Sequence, residues 1–370
     1  MQVFKLCKEK EEEKMAKWED NVRKVVPYTP GEQPKKDKMI KLNTNENPYP
    51  PAPAVEQVIR NFPVDRLRLY PDPGIGKLVK AIADFYEVKE SEVFVGIGSD
   101  DVLAMLFLTF FNSKKPIVFP DITYSFYDVW ADMLHVPYRT IALDETFCIN
   151  PEDYICENGG VIFPNPNAPT GELLPLDTVE RIIKANPDVI VIVDEAYIDF
   201  GGESALPLIH KYDNLIVTQT FSKSRSLAGS RIGYAFGNEK LIKYLNDVKY
   251  SFNSYTIDSL TIEIGAAAVA DKEYFEETTK KIIATREWTK KELSRLGFVF
   301  GDSKSNFIFA THPKLDMVKL FEELKAADIY VRHFNKTNRV VPYLRISIGT
   351  QEEMETFVRF LEEYVAKNQK

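Results

Sequence analysis

Several short stretches place polar side chains where chemistry is usually done, just after apolar runs. In open α/β sheets ligands bind outside the carboxyl ends of the strands, so such positions are the ones to inspect. In VGIGSDD, Gly98, Ser99 and Asp100 lie between an apolar run and a helical one. Free N–H groups and the helix dipole at such a junction attract a phosphate, although a plain structural turn uses the same residues. In IVIVDEAYIDF, Asp194 ends an apolar run and Tyr197 follows one helical turn later. A carboxylate there needs a partner, because an unpaired buried charge costs several kcal/mol. The partner is either the next helix, which it caps, or a cationic nitrogen on a ligand. In TQTFSK, Thr220, Ser222 and Lys223 close a further run, and Arg231 follows in SRSLAGSRIGYAFG. Taken alone, a lysine is usually a solvated surface group.

The elements that must hold these residues can be read from hydrophobic periodicity. KLVKAIADFYEV has helical spacing, EVFVGIG reads as a strand and DDVLAMLFLTFF as a buried helix. PIVFP, VPYRTIAL, GGVIFPNP, DVIVIVDEA, NLIVTQT and RIGYAFG are short apolar runs bounded by turn residues. Continuous apolar strands separated by helical segments indicate a mostly parallel sheet covered on both faces. Upstream, the proline-rich run from Pro27 to Pro53 predicts an extended arm, since proline blocks helix and ladder bonds alike. Downstream, a polar amphipathic helix at EYFEETTKKIIATREWTKKELSRLG leads into strand, helix, strand, helix: SNFIFATHP, MVKLFEELKAAD, YLRISIGT, EEMETFVRFLEEYVAK. That pattern predicts a compact α+β unit after a boundary near residue 285.

Composition narrows the function classes. With 370 residues, 44% of them hydrophobic, the chain can bury a large core. A formal net charge of −8 argues against nucleic-acid binding, which needs clustered Lys and Arg. Cys7, Cys148 and Cys156 form no CxxC pair, so neither a disulfide framework nor a zinc site is expected, and a reducing cytoplasm fits best. The four histidines are scattered without ligand spacing, so no metal site is expected. The amino terminus is too charged for a secretory signal and too acidic for a transit peptide. Met15 is an alternative start, with residues 1–14 a solvated helix or a translated upstream piece. No run approaches the ~18 apolar residues of a membrane span.

In order along the chain, NENPYPPAP, LYPDPG, GSDD, YSFY, PNAPTG, DEAYIDF, TFSKSRSLAGSRIGY and LRISIGT resemble the histidinol-phosphate aminotransferase family. These are pyridoxal-phosphate enzymes of fold type I, and the resemblance covers nearly the whole chain. It implies a large cofactor-binding domain over 66–285 with a mostly parallel central sheet. It implies a small C-terminal α+β domain over 286–370, and an extension and arm over 1–65 serving the small domain and a dimer contact.

The resemblance further implies that Lys223 forms the Schiff base with the cofactor and moves the proton as general base and acid. Ser99, Asp100, Thr220, Ser222 and Arg231 match ligands of the cofactor phosphate, and Asp194 matches the carboxylate that keeps the pyridine nitrogen protonated. Tyr197 matches the phenol bonded to the ring's O3′, Tyr124 the aromatic stacked on the ring, and Tyr70 a tyrosine reaching the neighbouring subunit's phosphate in a shared-site homodimer. Arg332 and Arg345 match two substrate arginines; Glu46, Asn47 and Tyr49 are placed near the imidazole ring, and Asn253 in the neighbouring site. The reaction implied is amino transfer between L-histidinol phosphate and 2-oxoglutarate.

The chain departs from the family pattern where Ala168 stands directly before proline in place of the usual asparagine, leaving Asn167 or Tyr197 alone to bond O3′. Asp101 replaces a commoner glutamate, and SFNSYTIDSL departs from the proline-aromatic-asparagine pattern around Asn253. A threonine-phosphate decarboxylase, an aromatic amino-acid aminotransferase and a non-catalytic protein of the same fold are the alternatives.

Overall fold

The computed structural model describes residues 17–368 apart from 37 and 336. Cys7 and the alternative start at Met15 lie outside the described residues. The arm enters as a two-residue strand, β1 (Ile40–Lys41), and then crosses the molecule through Thr44–Asn47 before α1 (Pro53–Asn61) and α2 (Gly76–Tyr86).

The central sheet has seven strands: β2 (Val93–Ile97), β3 (Ile117–Pro120), β4 (Tyr138–Ile141), β5 (Val161–Pro164), β6 (Val191–Asp194), β7 (Leu215–Thr220) and β8 (Ile232–Gly237). Their order is β2-β8-β7-β6-β5-β3-β4. Every residue of β5, β6 and β7 is buried, as the unbroken apolar runs require for strands covered on both faces. Helices α3 (Gly98–Phe110), α4 (Tyr127–Leu134) and α5 (Leu176–Ala185) make crossovers. The i, i+3, i+4 set Val179, Ile182 and Ile183 fixes the buried face of α5, each side chain contributing roughly 1.5–3 kcal/mol.

Strand β8 runs antiparallel to both neighbours, a departure from the parallel pattern of the other pairs. Only Phe221–Arg231 separates it from β7, too little chain for a covered crossover, so the chain turns straight back. That turn carries Lys223 and Arg231 to the same sheet edge where β2, β5 and β6 end.

Helices α6 (Glu239–Phe252) and α7 (Ser259–Ala270) follow, then α8 (Lys272–Arg295). The boundary read near residue 285 falls inside α8, an unbroken helix. Its early residue Tyr274 packs on the large core, whereas Ile282 and Leu293 belong to the second. The second core lies under a four-stranded antiparallel sheet, order β12-β13-β10-β9, made of β9 (Val299–Phe300), β10 (Phe307–Thr311), β12 (Arg332–His333) and β13 (Leu344–Ser347). Strand β11 (Ile329–Tyr330) pairs in parallel with β1, and α9 (Met317–Ala326) and α10 (Gln351–Asn368) complete the unit. Among the described residues no helix is long and apolar enough to cross a membrane.

Candidate active site

The turn from β2 into α3 is tight for identifiable reasons. Gly98 has φ +79°, and a Cβ there would fall 2.5 Å from the Arg231 guanidinium. A Cβ on Gly233 would fall 2.3 Å from the Ser99 nitrogen, so β8 touches the turn only because it carries glycine. Asp101 now has a role: its carboxylate accepts the Ile97 N–H at 2.9 Å and ties the turn shut. Arg231 donates to Asp100 Oδ2 at 2.9 Å, both side chains partly exposed. Thr220 Oγ1 accepts the Ser222 N–H at 3.1 Å and donates to the Ile232 carbonyl at 3.3 Å. Backbone donors at a helix start, two hydroxyls and a guanidinium make a donor set suited to a phosphate dianion.

Asp194 is buried at the end of β6, and its partners are all neutral. Tyr127 donates at 3.0 Å, Thr218 at 3.2 Å and the Ala196 N–H at 3.3 Å. Burial outweighs these bonds and pushes its carboxyl up to about 6. A buried carboxylate with donors but no cation is a site for a positive nitrogen. Tyr127 and Thr218 had not been singled out. Tyr127 reads as helix core, but Thr218 leaves a trace, a hydroxyl in an otherwise apolar run, directly opposite Asp194 in the sheet register.

Lys223 lies against Thr44 and Tyr197. Its Nζ donates to the Thr44 carbonyl at 3.3 Å and sits 5.7 Å from the Tyr197 ring centroid. Tyr197 is buried, edge-on to Phe307, and its hydroxyl receives a bond from Asn45 Nδ2 at 3.0 Å. Asn45 is a further residue that motif reading missed. Tyr124 donates to Asp100 at 2.5 Å and packs against Phe126 and Tyr127. Burial, then the Asp100 charge, hold its phenol well above the usual tyrosine range.

Three expected contacts are differently arranged. Asn47 spends its amide on the carbonyls of Lys223 and Ser224, both at 3.1 Å, and its Oδ1 on the Tyr49 N–H, so it supports the lysine loop instead of facing a substrate ring. Glu46 turns back to Lys41 and Thr44; burial would raise its carboxyl, but those hydrogen bonds outweigh it and leave it lowered. Asn167 donates to the Ile122 carbonyl after β3 and to Thr170 in its own loop, both at 3.0 Å, so its amide is already used.

Arg332 and Arg345 stand directly opposite each other on β12 and β13. Like charges so placed repel. Arg345 donates to the Asn43 carbonyl at 2.9 Å, but its buried Nε has no partner. Burial lowers its pKa, and the Arg332 charge adds to that against the opposing pull of Tyr197. Both arginines line a cleft of about 410 Å³ with Tyr28, Thr123, Tyr124 and Ala168. Among the described residues neither guanidinium has an ion-pair partner, and two of them in a cleft also lined by Asp128 and Asp132 fit an anionic ligand. Tyr70 stands apart, 83% exposed and stacked on Tyr255 at 4.7 Å. Asn253 ends α6 in extended conformation, also exposed.

Comparison with known proteins agrees with this geometry. The model of the family "Aminotransferase class I and II" matches residues 37–361. The chain belongs to the class I and II aminotransferases. Within this aminotransferase family it is 52% identical, over 95% of its length and 99% of the relative's, to the histidinol-phosphate aminotransferase of Lactococcus lactis subsp. cremoris strain MG1363. It is 50% identical to that of Clostridium beijerinckii, over 95% and 98%. Among solved structures, the histidinol-phosphate aminotransferase from Clostridium acetobutylicum superposes with TM-score 0.82 at 25% identity, covering 89% of this chain and 100% of that one. The Sinorhizobium meliloti enzyme, solved in complex with pyridoxal-5'-phosphate, gives 0.81 at 23%, covering 89% and 92%. The fold type I architecture expected for an aminotransferase from the motifs is the one observed.

Proposed function

We propose that the protein is a histidinol-phosphate aminotransferase, exchanging an amino group between L-histidinol phosphate and 2-oxoglutarate with pyridoxal 5'-phosphate as cofactor. The observation that carries this reading is that Lys223 and Asp194 stand at the carboxyl edge of the central sheet while the arm links that edge to Arg345, paired with Arg332 on the small sheet, Thr44 meeting Lys223 and Asn43 meeting Arg345. Identity near 50% to curated enzymes of that name supports the choice of substrate.

The cofactor fits two features of the chain, the glycine turn at Gly98 and the carboxylate of Asp194, while the orphaned Nε of Arg345 beside the cleft is left for the substrate anion. Bound there, it supplies an electron sink for the carbanion left when the amino acid's α-proton departs. Ser99, Asp100, Thr220, Ser222 and Arg231 hold its phosphate by N–H, O–H and guanidinium donors. Asp194 holds the ring nitrogen's proton. Lys223, once freed from the cofactor, would take the α-proton on Nζ and return it. Arg332 and Arg345 orient the substrate anion, accepting a carboxylate or a phosphate in turn because guanidinium geometry suits both. Tyr28, stacked on Phe126 at 4.2 Å, lines the same cleft.

The working unit is a two-fold dimer in this reading. Val64, Leu67, Leu69, Tyr70, Phe252 and Tyr255 are exposed, an apolar face of the kind that oligomers bury. Tyr70 then serves the neighbouring site. Unpaired Cys148 and Cys156 accord with a cytoplasmic setting.

The test is a half-reaction of cofactor-loaded protein with glutamate, followed by imidazole-acetol phosphate, phenylpyruvate or threonine phosphate. Conversion of the cofactor to its amino form by glutamate, and preferred return with imidazole-acetol phosphate, is expected. Preference for phenylpyruvate, or carbon dioxide release from threonine phosphate, would overturn the substrate assignment.

A further inference from the structure

The hydroxyl of Tyr197 has a fixed hydrogen-bond polarity, and the residue fixing it is Asn45. Asn45 is 1% exposed, sits at φ +57°, and is held on every side. Its N–H donates to Ser347 Oγ at 2.9 Å, Ser347 Oγ donates to its Oδ1 at 2.8 Å, and Asn306 Nδ2 donates to its carbonyl at 2.9 Å. Ser347 Oγ accepts that N–H and gives its own proton to Oδ1, which sets the Asn45 amide with Nδ2 facing Tyr197 Oη at 3.0 Å. Tyr197 accepts from Asn45 and is left to donate its own proton away from it. The ring is pinned edge-on against Phe307, with Lys223 Nζ on its near side. The Asn167 amide is spent on the Ile122 carbonyl and Thr170, and Ala168 has no polar side chain.

We propose that Asn45 is a positioning residue that holds Tyr197 as a donor toward the bound cofactor, so that the Asn45–Ser347 pair tunes the cofactor's proton affinity. This rests on the cofactor reading above. A phenol that accepts one bond donates a stronger second one. Donation to an oxygen on the cofactor favours that oxygen's deprotonated form, and so lowers the pH at which the bound cofactor's visible absorbance titrates.

The experiment is a spectrophotometric pH titration of the cofactor-loaded protein and of N45A, N45D, S347A, Y197F and the double variants N45A/Y197F and N45D/Y197F. Asn45→Ala should raise the midpoint by roughly half to one unit, the shift that one neutral hydrogen bond carries. Asn45→Asp keeps the shape but accepts the phenol proton, turning the donor round, and should raise the midpoint at least as far. S347A, which frees the amide, should move it the same way by less, and serves if N45A does not fold. In Y197F neither Asn45 substitution should add to the shift. N45D and S347A titrating like the parent, or an Asn45 effect that persists in Y197F, would overturn the proposal. Absence of any visible band in the parent would instead bring down the cofactor reading itself.

Discussion

Asp194→Asn should change stability with opposite sign in the free and the cofactor-loaded protein. In the free protein, burial lifts the carboxyl from 3.8 to about 6. That is roughly two units, at 1.36 kcal/mol each, or about 3 kcal/mol spent on keeping the group charged. The sign follows from proton linkage. A carboxyl with a raised folded pKa favours the folded state fully below the unfolded value, near pH 4, and loses that advantage as pH rises to about 6. The penalty is therefore complete above pH 6. Asparagine keeps the bonds from Thr218 and Ala196, and Tyr127 can turn to accept its amide. Free D194N should unfold at a higher temperature than the parent at pH 8 and at the same temperature near pH 4. Loaded protein reverses this, because a carboxylate and a pyridinium at ~4 Å and an effective dielectric of ~20 attract by about 4 kcal/mol. D194N should bind cofactor on the order of a thousandfold more weakly and gain less thermal protection from it. Scanning calorimetry of both forms at the two pH values, with a cofactor titration, is the assay. Equal midpoints for the free proteins at pH 8, or a cofactor affinity within tenfold of the parent, would refute the reasoning.

Other substitutions test other parts of the site. Lys223→Ala should abolish turnover and the visible cofactor band together, while leaving the melting profile of the free protein near the parent's. Gly98→Ala puts a methyl against Arg231 at a positive φ and should weaken cofactor binding by about 1–3 kcal/mol, measured by equilibrium titration. Arg345→Ala should raise KM for the phosphorylated substrate by at least tenfold in steady-state kinetics, in proportion to a lost charged hydrogen bond of roughly 1.5–3 kcal/mol. Leu67→Glu on the exposed apolar face should shift sedimentation from dimer to monomer, and activity should fall with it.

Much of this was legible because burial on both faces leaves a plain signature, the unbroken runs that became β5, β6 and β7. Residues that end such runs, Asp194 and Thr220 among them, were placed at the sheet edge by that signature alone. The reversed direction of β8 was not legible, since hydrogen-bond polarity leaves no periodic mark. Nor were Tyr127, Thr218 and Asn45 as partners. They reach Asp194 and Tyr197 across 67, 24 and 152 positions of chain, and strand order decides which distant residues meet. The motif NTNEN was visible, but whether its amides face a substrate or grip the lysine loop depends on how the arm is threaded. Ala168 is a visible departure, yet Asn45, which bonds the Tyr197 hydroxyl, belongs to an element whose docking no local pattern encodes. The boundary at 285 falls inside α8, where amphipathic spacing persists while the buried face passes from one core to the other.

The arm's threading ties two regions that are far apart in sequence. β1 is bonded to β11, and the Asn43 carbonyl is held by Arg345. Over the next four residues, Thr44 touches Lys223 Nζ, Asn45 touches Tyr197, and Asn47 grips the backbone at Lys223 and Ser224. This stretch acts as a yoke between anion clamp and amine. In the proposed reading, a ligand that draws the Arg345 guanidinium off the Asn43 carbonyl pulls on the same short length of backbone whose Thr44 carbonyl accepts from Lys223 Nζ, which would couple binding of the substrate anion to release of the lysine.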